Sequence, residues 1–230
     1  MNTVTIVLLA IAGISLVVWL GVLSHRARLA HLAACEEFAA ELDLTFSTER
    51  LGSVDSSYPQ FRAFDRGDDR YAYDTFRGNR ELFGRACPIF AGEYHYETKD
   101  SDGDRSSSRF SFALVELPFA TATIELRRES VFDKMAAAVG FDDIDFESHE
   151  FSRKYFVKSD DKKFAYDVLH PRMIEFLLAE NIDTFEIRDG VLLLGNGSGS
   201  WKLEEFRRRI AFAEAFCELW PRHLLAAAGL

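Results

Sequence analysis

In the segment Ile89–Thr98, IFAGEYHYET, the residues Glu93, His95 and Glu97 stand two apart. A strand has a side-chain period of two, so a strand here puts all three on one face. Two carboxylates and an imidazole suit a divalent metal, which makes a metal-assisted hydrolase using Glu93, His95 and Glu97 one reading of the chain. The set is incomplete, because such a site needs at least one ligand from another element. The competing reading is the wet face of a half-exposed antiparallel strand, where charged side chains belong.

Other chemistry-bearing groups fall short of a full constellation. Asp100, Asp102 and Asp104 with Gly103 have the composition of a calcium loop. An EF-hand needs glycine at its sixth position and a carboxylate at its twelfth; here glycine is fourth and Ser111 is twelfth. Gly195, Gly197 and Gly199 follow a predicted strand. Their spacing matches neither the dinucleotide nor the Walker pattern, and the chain that remains is too short for a βαβ unit. They predict a flexible connection. Cys87 precedes Pro88 without an assignable base, while Cys35 and Cys217 lie on apolar stripes and are expected to be buried. His170, just before Pro171, is expected at a helix C-terminus. Ser159-Asp160-Asp161 is expected to cap a helix beginning near Lys162, with Ser159 or Asp160 accepting from the free amides. No catalytic residue and no cofactor is assigned.

These groups need a scaffold, and the composition supplies one. Hydrophobic residues make up 48% of the 230, enough for a full core, and 21 are Phe. The formal charge of -10 argues against nucleic acid, whose binding rests on a basic footprint. Three cysteines without close spacing give neither a disulfide framework nor a zinc motif.

Residues 4–23, VTIVLLAIAGISLVVWLGVL, carry no charge. At about 1.5 Å per residue they would span about 30 Å, the hydrocarbon thickness of a bilayer. The expectation is an N-terminal transmembrane helix with the lipid bilayer as partner through residues 4–23. Leu32-Ala33-Ala34-Cys35 has the letters of a lipobox, but Arg26 and Arg28 separate it from the apolar run. Those two arginines follow the run and none precedes it, so the bulk of a single-pass chain would face the cytoplasm. The expected organisation is residues 1–25 as membrane anchor, 26–44 as juxtamembrane helix, and 45–230 as one α+β domain.

Within that domain, alternation predicts strands over 71–76, 89–98, 109–117, 121–127, 144–146 and 151–158, with a turn at Gly78-Asn79. Helices are predicted over 131–139, 162–170, 171–179 and 202–220, the last with Leu203, Phe206, Ile210, Ala213 and Cys217 on one face. Asp189-Gly190 predicts a two-residue hairpin turn between 184–188 and 191–194. Strands in a run with helices grouped later give an α+β class of mainly antiparallel sheet packed with helices.

The stretch from His149 to Leu178, HEFSRKYFVKSDDKKFAYDVLHPRMIEFLL, joins a basic–aromatic strand to a Ser-Asp-Asp turn and a helix ending with Leu169, Pro171 and Met173. It resembles an uncharacterised family of bacterial membrane-anchored proteins. The resemblance covers about half the chain and implies membrane anchorage and a shared α+β domain. That family has no established activity, so no catalytic residue follows from it. Together these readings point to a membrane-tethered interaction or scaffold domain with an unknown protein partner, and the metal-assisted hydrolase is the alternative.

Overall fold

The computed structural model describes residues 3–128, 144, 146–195 and 197–230, with the side chains of the first helix described from Ala12 onward. The chain divides into two compact units, residues 1–43 and 44–230.

The first unit is the helix α1, Thr3–Glu41. The expected transmembrane helix at residues 4–23 is overturned: among the described residues no helix is long and apolar enough to cross a membrane. The single-pass arrangement falls with it. Past Leu23 the helix α1 becomes charged, with His25, Arg26 and Arg28, then Glu36, Glu37 and Glu41.

The second unit is built on one eight-stranded antiparallel sheet. Its strands are β1 (Leu44–Ser47), β2 (Asp68–Leu82), β3 (Arg85–Lys99), β4 (Arg105–Glu116), β5 (Ile124–Arg128), β6 (Tyr155–Ser159), β7 (Thr184–Arg188) and β8 (Val191–Leu194). Their spatial order is β1-β2-β3-β4-β8-β7-β5-β6. The first four form a meander. The β7–β8 hairpin then inserts beside β4 and carries β5 and β6 on its far side. The short strands β1 and β6 form the edges, which limits the unpaired backbone offered to another chain.

Among the described residues the helices of this unit are α2 (Val54–Ser57), α3 (His149–Lys154), α4 (Lys162–Val168), α5 (Pro171–Glu180), α6 (Leu203–Glu218) and α7 (Arg222–Ala227). Alternation along the strands gives the sheet two apolar faces. On one, Phe90, Tyr94, Phe110, Phe112, Leu114 and Leu193 pack under Val54, Phe61 and Phe64 from the segment after β1. On the other, α6 lays its apolar stripe across the sheet, with Phe206 5.5 Å from Phe76 and Phe216 5.2 Å from Phe185 between ring centroids.

Several local expectations change. Gly78-Asn79 lies inside β2, paired with Ile89 and Pro88. The turn falls at Phe83-Gly84, both at positive φ, the backbone signature of a tight hairpin. Residues 151–154 are helical rather than extended. Ser148 starts α3 by accepting from the Phe151 amide, and Phe151 and Tyr155 then meet one turn apart with ring centroids at 5.2 Å. Ile144 and Phe146 lie outside any strand. The helix expected at 131–139 lies outside the described residues.

The turn after β6 uses its three side chains differently from the expectation. Asp161 is the N-cap of α4, accepting from the Phe164 amide at 3.0 Å. Asp160 instead accepts from the Thr123 amide at 2.8 Å, and Ser159 donates to the Thr123 carbonyl at 2.5 Å. One residue caps the helix while the other two fasten the turn to the start of β5. Asp161→Ala is therefore expected to lower the urea midpoint by the equivalent of about 1 kcal/mol, the usual cost of a lost cap. An unchanged midpoint would contradict the assignment.

Candidate functional site

The strand that carries Glu93, His95 and Glu97 exists, and all three share one face, but the structure separates them. Glu93 turns toward β4 and the glycine loop. It accepts from Ser111 Oγ through Oε1 and from Ser200 Oγ at 2.7 Å through Oε2. Ser111, almost fully buried, also accepts from the Trp201 amide at 2.6 Å, and its own amide donates to the Gly199 carbonyl at 2.9 Å. Arg66 donates to the Gly197 carbonyl at 2.8 Å. The glycine connection is thus pinned to the sheet at three points, and a fourth time by Arg66, rather than left loose. Gly195 has φ +116°, and a Cβ there would meet the Ser111 carbonyl oxygen at 2.8 Å, which is why a glycine opens the loop. Glu93 is a structural clamp and drops out of the metal set.

His95 and Glu97 gain a partner that sequence reasoning left in a loop, Asp69. Between Asp68 and Tyr71 the β2–β3 register shifts: Asp68 pairs with Glu97 and Tyr71 with His95, so Asp69 and Arg70 stand opposite Tyr96 alone. This β-bulge kinks β2 and swings Asp69, at φ +48°, onto the His95 face. Asp69 Oδ2 lies 3.8 Å from His95 Nε2, and one ligand atom each from Asp69, His95 and Glu97 lie within 4.8 Å of one another. The His95 ring stacks on Tyr71 with centroids 4.6 Å apart, and the Arg50 guanidinium covers the Tyr71 ring at 4.5 Å. Glu97 also pairs with Arg105 at 3.1 Å, an arginine 62% exposed. Nothing in the sequence marks the bulge except the Asp68-Asp69 pair beside a Gly67 of special backbone conformation.

The other candidates resolve as structural. The Asp100–Asp104 loop is a hairpin turn in which Asp100 Oδ1 accepts from the amides of Asp102 and Asp104 at 3.0 and 2.9 Å. That geometry spends its carboxylate on its own backbone. His170 caps the N-terminus of α5 rather than the C-terminus of α4, whose C-cap is Leu169. Its Nδ1 accepts from the Met173 amide at 3.3 Å and its Nε2 meets the Leu219 carbonyl at 3.0 Å, so the proton resides on Nε2 and the ring joins α5 to the end of α6. The Pro171 ring behind it explains the reversal: proline suits the first helical turn and disfavours helical backbone in the residue before it. None of the three cysteines is in a disulfide, and all are buried. Burial raises the Cys217 thiol to about 12, with smaller contributions from Cys87 and Glu214, and burial likewise raises Cys87. Neither holds thiolate at neutral pH, so neither suits nucleophilic chemistry.

A second feature had no counterpart in the sequence. Between α5 and α6, beside the start of β7, lies an open cavity of about 770 Å³ lined by Phe176, Trp201, Phe212, Ala211, Glu205, Arg208, Arg209 and Asp183, among others. Phe176 and Phe212 stack at 5.2 Å, and the Arg209 guanidinium lies 5.2 Å from the Trp201 centroid. Arg209 forms an ion pair with Glu205 at 2.7 Å, a close approach without the alignment of a hydrogen bond at Nε. Arg128 pairs with Asp183 at 2.6 Å. The result is an aromatic floor within a ring of charges. Sequence reading found the apolar stripe of α6 but could not place Trp201 or Phe176 beside it.

No family model matches the chain, and no curated protein matches it. One solved structure is similar: the crystal structure of the mycobacterial trehalose monomycolate transport factor A, TtfA, with a TM-score of 0.51 and 11% identity, covering 80% of this chain and 91% of that one. At that identity the likeness shows a shared fold.

Proposed function

We propose that the domain is a non-catalytic interaction module that receives a protein partner in the α5–α6 cavity. The observation that carries this reading is the cavity's anatomy: stacked Phe176 and Phe212 and the Trp201 ring form an apolar floor, and Arg208, Arg128, Asp183 and Glu205 surround it. Protein interfaces have that arrangement, an apolar centre with a polar surround, and Trp and Arg dominate their binding energy. The residue types that suggested chemistry support it from the other side. Glu93, Ser111, Asp160 and His170 are spent on joining elements, and Asp161 on capping α4. A hydrolase reading would need Glu93 beside His95 and Glu97 with a free carboxylate, and both Glu93 oxygens are occupied. The likeness to a transport factor is one of fold, and no substrate is carried over from it.

Ala211 is exposed and lies at the cavity mouth. Ala211→Arg is expected to fill that mouth and abolish association of the full chain with its partner, while the unfolding midpoint moves by no more than about 0.5 kcal/mol, as for a surface substitution. Undiminished association with the arginine in place would overturn the proposal.

A further inference from the structure

We propose that Asp69, His95 and Glu97 form a binding site for a first-row divalent metal ion of the zinc class. The three come from two strands and are gathered by the bulge in β2, so the set supplies the ligand from another element that a strand alone cannot. The Asp69 carboxylate and the His95 Nε2 face each other at 3.8 Å. That is too long for a hydrogen bond and close to the separation of two donors across a tetrahedral ion, about 3.3 Å for metal–donor bonds near 2.0–2.1 Å. The third donor, a Glu97 carboxylate oxygen, lies within 4.8 Å of the other two.

The imidazole is already oriented. Tyr71 holds its plane by stacking, and the Arg50 guanidinium lies over the Tyr71 ring. A site with one imidazole and two carboxylates favours zinc, manganese or cobalt. The nitrogen donor disfavours calcium and magnesium, and the absence of sulfur from the three disfavours cuprous copper. Arg105 competes for Glu97, pairing with it at 3.1 Å. Exposed ion pairs of that kind are worth about 0–1 kcal/mol, so a divalent ion displaces it. None of the three residues lines the α5–α6 cavity, and the inference stands or falls apart from the interaction reading.

The test is titration of the purified, metal-stripped full chain with Co²⁺, read by visible absorption, and with Zn²⁺, read by calorimetry. Saturable one-to-one binding is expected. His95→Ala, Asp69→Asn and Glu97→Gln should each weaken it at least about tenfold, since loss of even an outer-shell partner typically costs that much. Glu93→Gln should leave the isotherm unchanged, and Arg105→Ala should tighten it by removing the competing cation. Circular dichroism of each metal-free variant confirms folding. Absence of saturable binding, or an isotherm that His95→Ala does not alter, overturns the proposal.

Discussion

Phe64→Ala is expected to destabilise the second unit by about 3–5 kcal/mol, the range for emptying a fully buried aromatic site. Phe64 has no exposed surface, and its ring lies 5.1 Å from Tyr94, 5.2 Å from Phe112, 5.9 Å from Phe110 and 6.4 Å from Phe61. Three of these partners belong to two adjacent strands, and Phe61 comes from the same loop. Phe64 is the side chain through which the segment after β1 grips the sheet. The backbone contact survives the substitution, because the Tyr94 hydroxyl donates to the Phe64 carbonyl at 2.8 Å. The loss is therefore one of packing and of the cavity left behind, with little relaxation available between rigid strands. Against a usual total of about 5–15 kcal/mol, such a loss takes a large share of the stability. Urea unfolding followed by Trp fluorescence measures it. A loss below about 1 kcal/mol would mean that the segment carrying Phe64 does not seal this face of the sheet.

Gly67→Ala is the second large effect. Gly67 has φ +59°, and a Cβ there would lie 2.0 Å from the Glu97 carbonyl oxygen and 2.9 Å from its carbon. Those atoms are backbone of β3, so nothing flexible can yield. Left-handed backbone costs a residue with a Cβ about 1–2 kcal/mol, and overpacking adds about 1–3 kcal/mol, giving roughly 2–5 kcal/mol in all. Gly84 isolates the two contributions. It has φ +70°, and a Cβ there would meet no atom within 4 Å, so Gly84→Ala should cost only the conformational part, about 1–2 kcal/mol. Equal losses from the two substitutions would show that the approach of Gly67 to Glu97 is not tight. Because Gly67 sets the entry to the bulge, its substitution should also disperse Asp69, His95 and Glu97.

Where a fold feature depends on local periodicity, it was legible in the chain. The alternation of Tyr71 and Tyr73 with Ala72 and Asp74, and of Glu93 and His95 with Tyr94 and Tyr96, marks β2 and β3, Asp189-Gly190 marks the β7–β8 turn, and the stripe from Leu203 to Cys217 marks α6. The misplaced elements have competing local signals. Gly78-Asn79 is a good turn dipeptide that pairing with β3 keeps extended, so the chain turns five residues later at Phe83-Gly84. The run Phe151–Lys158 alternates like a strand, but the Ser148 cap makes its first four residues helical. The apolar run of α1 set the largest misreading, since its uncharged length argued for a membrane span that the structure does not support.

The candidate sites were less legible because they are made by tertiary contact. Glu93 and Glu97 are equivalent by spacing. They differ only because Ser111 and Ser200 reach the first, while the bulge delivers Asp69 to the second. The bulge itself is one unpaired residue, invisible to a period-two pattern. Trp201, just ahead of α6, and Phe176 on α5 are 25 positions apart, and only the folding of α5 against α6 makes them line one cavity.

The interaction reading is tested most directly by site-specific photo-crosslinking of the full chain in its own cells. A photoreactive residue replaces Arg208 at the cavity, or Asp102 at the exposed tip of the β3–β4 hairpin. The prediction is one discrete protein adduct from position 208 that disappears when Ala211→Arg is combined with it, and none from position 102. No adduct at 208, equal adducts from both positions, or an adduct at 208 that persists with Ala211→Arg would contradict a partner seated between α5 and α6.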